Sequence, residues 1–387
     1  MARDWPQVEL ADVAAELTVG HVGPMVTEYR DRGVPFIRST DIKPFRIDRS
    51  ELKFINPEFH AKLKKSALRP GDVVVVRTGK PGTAALIPNE LPDANCSDVV
   101  IVRAGPKLDA RYLVYFINST GQAHVNSHSG GAVQQHFNVG AARKMRINLP
   151  PLDEQREVAS ILGALDDKIE LNRRMNATLE AMAQAVFKEW FVAGAKEEWE
   201  KVAVNELANV IYGAPFASKL FNTDGEGAGL IRIRELSTHE PATFTTEQHV
   251  KGTMVHPGDI IVGMDGEFRV HHWRGVPALL NQRVCMFKPK EQYLRAFLAL
   301  SLIAPMEFYE RSTVGTTVIH LGKSDIDEIR LLKPPDDLLK QFGQLVEPML
   351  EKRLANAAES RTLAALRDTL LPKLMRGEVR VKNMEKA

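Results

Sequence analysis

The sequence has few cysteines, no long hydrophobic run and almost no net charge, and each shortage excludes a class of protein. It contains only Cys96 and Cys285 among 387 residues. Two cysteines cannot form a disulfide framework, and both lie in apolar, strand-like stretches. No apolar run reaches the roughly 20 residues of a membrane-spanning helix, and the N-terminal stretch has no signal-peptide core. We therefore expect a protein of the reducing cytoplasm.

Formal charge is distributed unevenly, although the total is only +2. Residues 1–150 carry +5 and residues 151–198 carry −4, whereas residues 199–335 carry −1 and residues 336–387 carry +2. The positive first segment suits a polyanion, and the acidic segment after it would repel one. The acidic segment therefore predicts a protein partner rather than a nucleic acid.

An internal repeat of about 190 residues organises the chain. Five stretches recur in the same order at offsets of 184 to 194 positions, which a chance match does not explain. The pairs are "DWPQVELADVAAEL" with "EWEKVAVNELANVI", "FIRSTDI" with "LIRIREL", "LRPGDVVVV" with "VHPGDIIVG", "GGAVQQHFNVG" with "VGTTVIHLGKS", and the double prolines at 150–151 and 334–335.

Each copy divides into a turn-rich globule and a long helix. The globules, about 1–147 and 195–331, contain short β-branched runs that follow Pro-Gly turns, and short helices come after them. A helix over 153–191 begins after the first double proline, with Asp153 as its N-cap. A second helix runs to about residue 371, with a kink or a restart at Pro348. We predict an α+β fold: two mixed α/β domains separated by two long antiparallel helices that form a coiled-coil rod.

The apolar side chains of the first long helix recur every three or four residues, as in a coiled-coil seam. Asn172 is the one polar position in this seam, where it could set the register of the helices. The predicted seam residues are Val158, Ile161, Leu165, Ile169, Met175, Leu179, Met182 and Val186.

Four motifs resemble catalytic or cofactor sites, and each lacks an essential part. "LGKSD" has Thr317 where a phosphate-binding loop needs glycine, and "NPEF" has Glu58 where an adenine methyltransferase has its second proline. "DGEGAG" precedes a strand rather than a helix. His271 and His272 have no further ligands at metal-binding spacing. The sequence therefore predicts no catalytic centre, no metal and no cofactor.

The stretch "LPPLDEQREVASILGALDDKIELNRRMNATLEAMAQAVFKEWF", residues 149–191, resembles the central conserved helix of specificity subunits of Type I restriction–modification systems. "LLPKLMRGEVRV" at 370–381 is similar to the C-terminus of that family. The second junction, "KPPDDLLKQF", lacks the Glu-Gln of the family pattern and corresponds by position only. The layout of the whole chain fits the family, and strong motif similarity covers about a quarter of it.

The resemblance implies a non-catalytic DNA specificity subunit. Its target recognition domains would be residues 1–150 and 195–335, and its conserved helices 151–194 and 336–387. Each domain would read one half of a bipartite DNA target, and the helices would set the spacer and dock two methyltransferase subunits. Restriction subunits would join through the methyltransferases, which would methylate adenine at N6. Because the loops of the two globules differ, we expect an asymmetric target.

Polar loop residues are the candidates for DNA contact. Paired glutamines can read adenine bidentately, and arginine and lysine can bind guanine or phosphate. The first globule offers Arg38, Ser39, Arg77, Thr78, Lys80, Gln134, Gln135 and His136. The second offers Arg232, Arg234, Arg269, His271, His272, Thr316, Thr317 and His320.

Each candidate also has a structural alternative. Arg38 and Arg232 could close strand ends, and "RTGK" could be a solvated hairpin. The lysines at 62, 64 and 65 fit a solvated face better than a DNA contact. The aromatic residues Phe187, Trp190 and Phe191 fit either a partner-docking patch or the end of the helical seam.

Two other functions remain to be separated from DNA specificity. A single-chain methyltransferase would need donor-binding glycines and an intact Asn-Pro-Pro-aromatic motif, and both are missing from the sequence. An interaction scaffold of the same architecture would not bind a defined duplex in a salt-dependent way.

Overall fold

A computed structural model describes residues 5–128, 137–266, 268–311 and 320–379. The chain forms two compact units. The first comprises Met1–Lys168 and Leu363–Ala387, and the second comprises Ile169–Thr362. Each unit contains one globule and part of both long helices. Among the described helices, none is both long and apolar enough to cross a membrane.

The first unit is built on a four-stranded and a five-stranded sheet. The four-stranded sheet is antiparallel, in the order Ala84–Leu86, Val73–Val76, Val99–Ala104, Ala14–Val19. The five-stranded sheet has the order Tyr29–Arg30, Lys53–Ile55, Val34–Ile37, Ala94–Cys96, Ala67–Leu68. Two further pairs are Gln7–Glu9 with Arg146–Asn148 and Ile42–Lys43 with Arg46–Ile47. The short helices are Leu10–Val13, Pro57–Lys62, Ala110–Ile117, Gln122–His128 and Val139–Arg143.

The second unit has the same plan. Its antiparallel four-stranded sheet has the order Val270–His272, Ile260–Gly263, Val284–Pro289, Ala208–Tyr212. Its five-stranded sheet has the order Phe221–Asn222, Phe244–Thr245, Ala228–Ile231, Ala278–Leu280, Met254–Val255. Glu200–Ala203 pairs with Arg330–Lys333. The short helices are Val204–Leu207, Arg295–Ser301, Ile303–Arg311 and Lys323–Glu328.

The predicted repeat is confirmed strand by strand. Both four-stranded sheets have the same order, and so do both five-stranded sheets. Each five-stranded sheet contains one parallel pair at the same place, Val34–Ile37 with Ala94–Cys96 and Ala228–Ile231 with Ala278–Leu280. The predicted mixed α and β fold with an internal two-fold repeat is therefore correct.

The Pro-Gly turns deliver the chain into buried central strands, as the sequence predicts. Gly71 and Gly258 have φ of +88° and +96°, a backbone region that favours glycine. Every residue of Val73–Val76 and of Ile260–Gly263 is buried, because both faces of these strands are covered. Cys96 and Cys285 are fully buried strand residues with free thiols, and burial raises the pKa of Cys285 to about 12.

Two residues that are 194 positions apart turn the chain through the left-handed region without being glycine. Phe45 has φ +69° and His239 has φ +59°. Their separation equals the offset between "FIRSTDI" and "LIRIREL", so the two are repeat equivalents. The ring of Phe45 lies between Tyr115, at 5.3 Å, and the guanidinium of Arg367, at 4.5 Å. These contacts hold a backbone conformation that a bulky side chain disfavours.

The long helices are Leu152–Lys188 and Asp336–Met375, of 37 and 40 residues. The first begins one residue before the predicted cap. Gln155, fully buried, fixes this start because its amide donates to the carbonyls of Lys107 (3.0 Å) and Pro150 (2.8 Å) and accepts from the Asp109 N–H (2.8 Å). The glutamine of the "EQ" motif therefore joins the helix to the first globule.

The sequence predicted a kink or a restart at Pro348, and the second helix does not restart there. Asp336–Met375 is one unbroken helix, and Pro348 lies on its exposed face. Proline removes one backbone hydrogen bond, but twelve residues of the helix precede it here. Buried neighbours on both sides, Val346 and Leu350, hold the helix in place across the proline.

Within each unit the long helices pack antiparallel, as predicted, but the seam differs in part. The buried positions after Asn172 are Asn176 and Ala183, whereas Met182 is 47% exposed. Asn356 donates to the side-chain oxygen of Asn176 (2.9 Å) and Asn172 donates to the backbone of Asn356 (3.3 Å). The prediction that Met182 lies in the seam is wrong. The seam instead passes through Asn172 and Asn176, and each of them is hydrogen-bonded to Asn356 on the second long helix.

Candidate nucleic-acid interface

Arg38 and Arg232 each close a turn at the end of a strand, which is the structural role considered for them as an alternative to DNA contact. Arg38 contacts the buried carboxylate of Asp41 through Nε (3.0 Å) and Nη2 (2.6 Å), and this hydrogen bonding raises the pKa of Arg38. Arg232 contacts the carboxylate of Glu235 through Nη2 at 3.0 Å. Ser39 is half-buried in the turn that Arg38 closes. Arg38, Arg232 and Ser39 are therefore parts of a repeated turn motif.

Arg234 differs from Arg232 in its exposure. Its Nε contacts Glu235 at 2.9 Å and its Nη2 contacts the hydroxyl of Thr243 at 3.0 Å. The side chain is nevertheless 65% exposed, against 23% for Arg232. Arg234 is therefore better placed than Arg232 to meet a ligand.

The loop between Val73–Val76 and Ala84–Leu86 holds three candidates. Arg77 forms an ion pair with Asp98 and is only 14% exposed, and burial lowers its pKa. Thr78 is half-buried, whereas Lys80 is exposed. The loop connects the two strands of a hairpin, which was the alternative to DNA contact, and it exposes Lys80 to solvent.

Two side chains from neighbouring helices hold this loop in one conformation. Gln122 donates to the carbonyl of Gly82 at 2.9 Å. Asn118 accepts from the N–H of Ala84 (3.1 Å) and donates to its carbonyl (2.8 Å). A Cβ on Gly82 would lie 2.8 Å from the amide nitrogen of Gln122. The loop is thus fixed before any ligand arrives, which lowers the entropy cost of binding.

An ion pair also closes the equivalent loop of the second unit, but there the loop residue is the anion and its partner is the cation. Asp265 in the loop contacts Arg283 at 3.0 Å and the Nδ1 of His320 at 2.7 Å. Arg283 directly precedes the strand Val284–Pro289, just as Asp98 directly precedes Val99–Ala104. The first unit therefore carries the cation on the loop, and the second unit carries the anion there.

The three candidates around Val270–His272 lie in different environments. Arg269 is exposed, and the ring of His271 lies 5.7 Å from that of His239. Although His272 is half-buried as a residue, its Nε2 is buried and has no hydrogen-bond partner in the described part of the chain. His272 also lines a small cavity together with Arg295 and Arg353. His272 therefore faces the second long helix.

Five candidates lie outside the described residues: Gln134, Gln135, His136, Thr316 and Thr317. The remaining candidate of that repeated segment, His320, is described and is 51% exposed. No group of three or more His, Cys, Asp or Glu in the described ranges could hold a metal ion.

The proposed docking residues contribute to the core of the second unit. Phe191 is 5% exposed and its ring lies 4.9 Å from that of Phe342 and 5.0 Å from that of Phe297. Phe187 and Trp190 are half-buried and pack against the same rings. Phe191 therefore fits the seam-end alternative better, although Phe187 and Phe191 both border an apolar groove of about 510 Å³.

Residues that act through side-chain pairing were absent from the predicted site. Asp98, Asp265 and Arg283 close the loops, and Asn118 and Gln122 hold one of them. Asp98 and Arg283 were detectable as charged residues directly before the longest buried strands. No sequence signal relates Asn118 or Gln122 to a loop about 40 positions away.

Acidification should destabilise the second unit. The pKa of His239 is lowered to about 3 by burial and then by Arg274, and that of His272 is lowered to about 3 by burial and then by Arg353. The unfolded chain binds protons near the ordinary histidine value, so stability is lost as the pH falls from about 6.5 towards 3. Each histidine should remove at most about 1.4 kcal/mol per pH unit in this window.

The free energy of chemical unfolding measured between about pH 7 and pH 5 tests this expectation. The matched variants His239→Phe and His272→Leu introduce the residues that the first unit has at the equivalent positions, Phe45 and Leu86. Each should reduce the loss of stability, and the double variant should nearly abolish the histidine contribution. An unchanged pH dependence in the double variant would contradict the assignment.

The repeated fold and its two loop-bearing units agree with the comparisons with known proteins. A model of the Type I restriction modification DNA specificity domain matches residues 3–181 and again 196–344. These matches cover most of the chain, and the chain therefore belongs to this family.

Individual relatives match the chain over different shares of its length. The chain is 24% identical to the MjaIX specificity subunit of Methanocaldococcus jannaschii, over 99% of this chain and 95% of that protein. It is 33% identical to the EcoBI specificity subunit of Escherichia coli, over 40% of this chain and 33% of that protein. The crystal structure of a Type I S subunit from M. genitalium superposes with a TM-score of 0.59 at 15% identity, covering 96% of both chains, which shows a common fold.

Proposed function

We propose that this chain is the DNA sequence-specificity subunit of a Type I restriction–modification complex. The observation that carries the proposal is the duplication: the family model matches both copies of one recognition fold. Each unit would place its loops against base edges and phosphates of one half-site. The chain itself would supply recognition, and a partner would supply the chemistry.

Unlike loop chemistry supports a target with unlike halves. The first unit presents Lys80 on a loop whose base carries Arg77, and the second presents Asp265 and His320 at the equivalent place. Cations favour guanine or phosphate, whereas the second unit offers an exposed imidazole whose carboxylate partner is only 19% exposed. Identical half-sites would not use these two loops equally well.

Protein partners would bind through the helical part of the chain. Residues 151–198 carry a net charge of −4, which is unfavourable for DNA and compatible with a protein surface. Two methyltransferase subunits would bind, one for each recognition domain, and restriction subunits would join through them. The methyltransferase would flip an adenine out of the duplex and methylate it at N6.

Co-expression with the methyltransferase encoded beside this chain tests the proposal. N6-methyladenine in the host DNA should map to one bipartite, asymmetric motif, and this methylation should disappear when the chain is omitted. Methylation that persists without the chain would contradict the proposal. A stable complex that binds no duplex in a salt-dependent way would instead support the interaction scaffold.

A matched pair of lysine variants tests the loop of the first unit. Lys80→Ala should weaken binding to the mapped duplex several-fold, because an exposed ammonium on a fixed loop is lost, and should reduce the salt dependence of binding by about one phosphate contact. Lys62→Ala removes an equally exposed lysine from the face predicted to be solvated, and should leave both quantities unchanged. Equal effects of the two variants would remove the loop from the interface.

A further inference from the structure

Asp265, His320 and Arg283 form a chain of contacts at the loop of the second unit. The Nδ1 of His320 lies 2.7 Å from Oδ1 of Asp265, and Arg283 lies 3.0 Å from the other carboxylate oxygen. Asp265 is 19% exposed, so its carboxylate lies largely under the two partners. His320 is 51% exposed. The imidazole therefore has one nitrogen fixed by a carboxylate and considerable surface open to solvent.

This contact determines which nitrogen of the ring carries the proton. A carboxylate only accepts hydrogen bonds, so Nδ1 of His320 must be the donor. In the neutral ring Nε2 is then an acceptor, and in the charged ring it becomes a donor. The charged groups beside the ring include Asp265 and, behind it, Arg283.

The first unit has different residues at the equivalent positions. The strands Val73–Val76 and Ile260–Gly263 correspond in the repeat, so Thr78 is the equivalent of Asp265. A threonine cannot stabilise an imidazolium by charge. At the base of the loop, Asp98 replaces Arg283 and forms an ion pair with Arg77. A carboxylate at this loop position is therefore particular to the second unit.

We propose that Asp265 is a positioning residue that orients His320 so that Nε2 donates a hydrogen bond to the DNA when the ring is protonated. The proposal rests on the proposed DNA-reading function of this chain. Its ligand is a hydrogen-bond acceptor on the duplex, either the N7 or O6 of guanine or a phosphate oxygen. Binding of the second half-site is then tighter with the protonated ring than with the neutral ring.

The expected size follows from the change in the hydrogen bond. Protonation converts a neutral contact, or no contact, into a charge-assisted one, which is about twice as strong. We expect duplex binding to be about fivefold tighter near pH 6 than near pH 8, at constant ionic strength. Measuring no lower than about pH 6 limits the destabilisation that the buried His239 and His272 begin to cause below about pH 6.5.

Fluorescence anisotropy with the co-purified methyltransferase complex and a labelled duplex that carries the mapped motif measures this response. His320→Gln retains a polar group that cannot titrate, and should lose the pH response. Asp265→Asn removes the carboxylate charge and should reduce the response to less than half. The control His256→Gln removes an exposed histidine elsewhere in the same unit and should leave the response unchanged.

The outcomes separate this inference from the proposed function. A wild-type complex that binds no duplex specifically at any pH would overturn both. Specific binding with the same pH response in wild type and His320→Gln would overturn the inference alone. A full response in Asp265→Asn would remove the positioning role of Asp265. A response on duplexes with any second half-site would indicate a phosphate oxygen as acceptor, and a response on the mapped motif alone would indicate guanine; both outcomes support the proposal.

Discussion

Replacing Phe191 with alanine should lower the free energy of unfolding of the second unit by about 3–5 kcal/mol, as expected for a large aromatic side chain in a packed core. The ring is 5% exposed and lies within 6.2 Å of four other aromatic rings besides that of Trp190, namely Phe187, Trp199, Phe297 and Phe342. Its removal would leave a cavity that these rigid rings cannot fill. Denaturant unfolding of the purified chain measures the loss.

Two variants show whether Phe191 acts in the core or in docking. Phe191→Leu retains much of the buried volume and should cost considerably less than alanine. Trp190→Ala removes a half-buried ring from the same cluster and should also cost less stability than Phe191→Ala. If Phe191→Ala left stability unchanged but released the methyltransferase, the docking alternative would be correct.

Replacing Asp166 with leucine should cost the first unit about 3 kcal/mol, because it leaves two buried partners without their acceptor. Asp166 is 13% exposed and accepts from the hydroxyl of Tyr115 and from Nη1 of Arg367, both at 2.6 Å. Burial and then Asp166 raise the pKa of Tyr115 above its usual range, so the phenol remains protonated and donates. Asp368 remains as a partner of Arg367 and limits the loss.

A double variant shows how much of this loss comes from the isolated charge. Asp166→Leu combined with Arg367→Met removes both members of the ion pair and should recover most of the stability lost in the single variant. Thermal unfolding of the two single variants and the double variant forms a double-mutant cycle. Additive losses would mean that the two residues act independently, which would contradict the contact.

The fold could be predicted because its signals are local and occur twice. Pro-Gly turns before β-branched runs indicated Val73–Val76 and Ile260–Gly263, and the double prolines indicated the start of both helices. The seam was partly misplaced because it was traced through Asn172 but then continued through Met175 instead of Asn176. In the structure the cost of burying Asn176 and Asn356 is offset by the hydrogen bond between them, which sequence spacing does not reveal.

The candidate interface was less predictable, because it depends on partners that are distant in the sequence. Asp265 and His320 are 55 positions apart, and no pattern in either segment indicates their contact. For His272 a local signal existed, since adjacent residues of a strand point to opposite faces and His271 and His272 cannot share an environment. His272 is enclosed in part by Arg353, which lies on the second long helix about 80 positions later in the sequence.

The left-handed corners at Phe45 and His239 separate what the two halves share from what distinguishes them. Both halves bend at the same step, although neither uses the residue that bends most easily. One corner side chain stacks against an arginine and a tyrosine, and the other against a histidine and a tryptophan. The two halves therefore share the backbone shape at this corner, while the side chains at the corner differ. Hybrid chains in which the halves are exchanged should keep the bend of the backbone and change only the side chains at the corner.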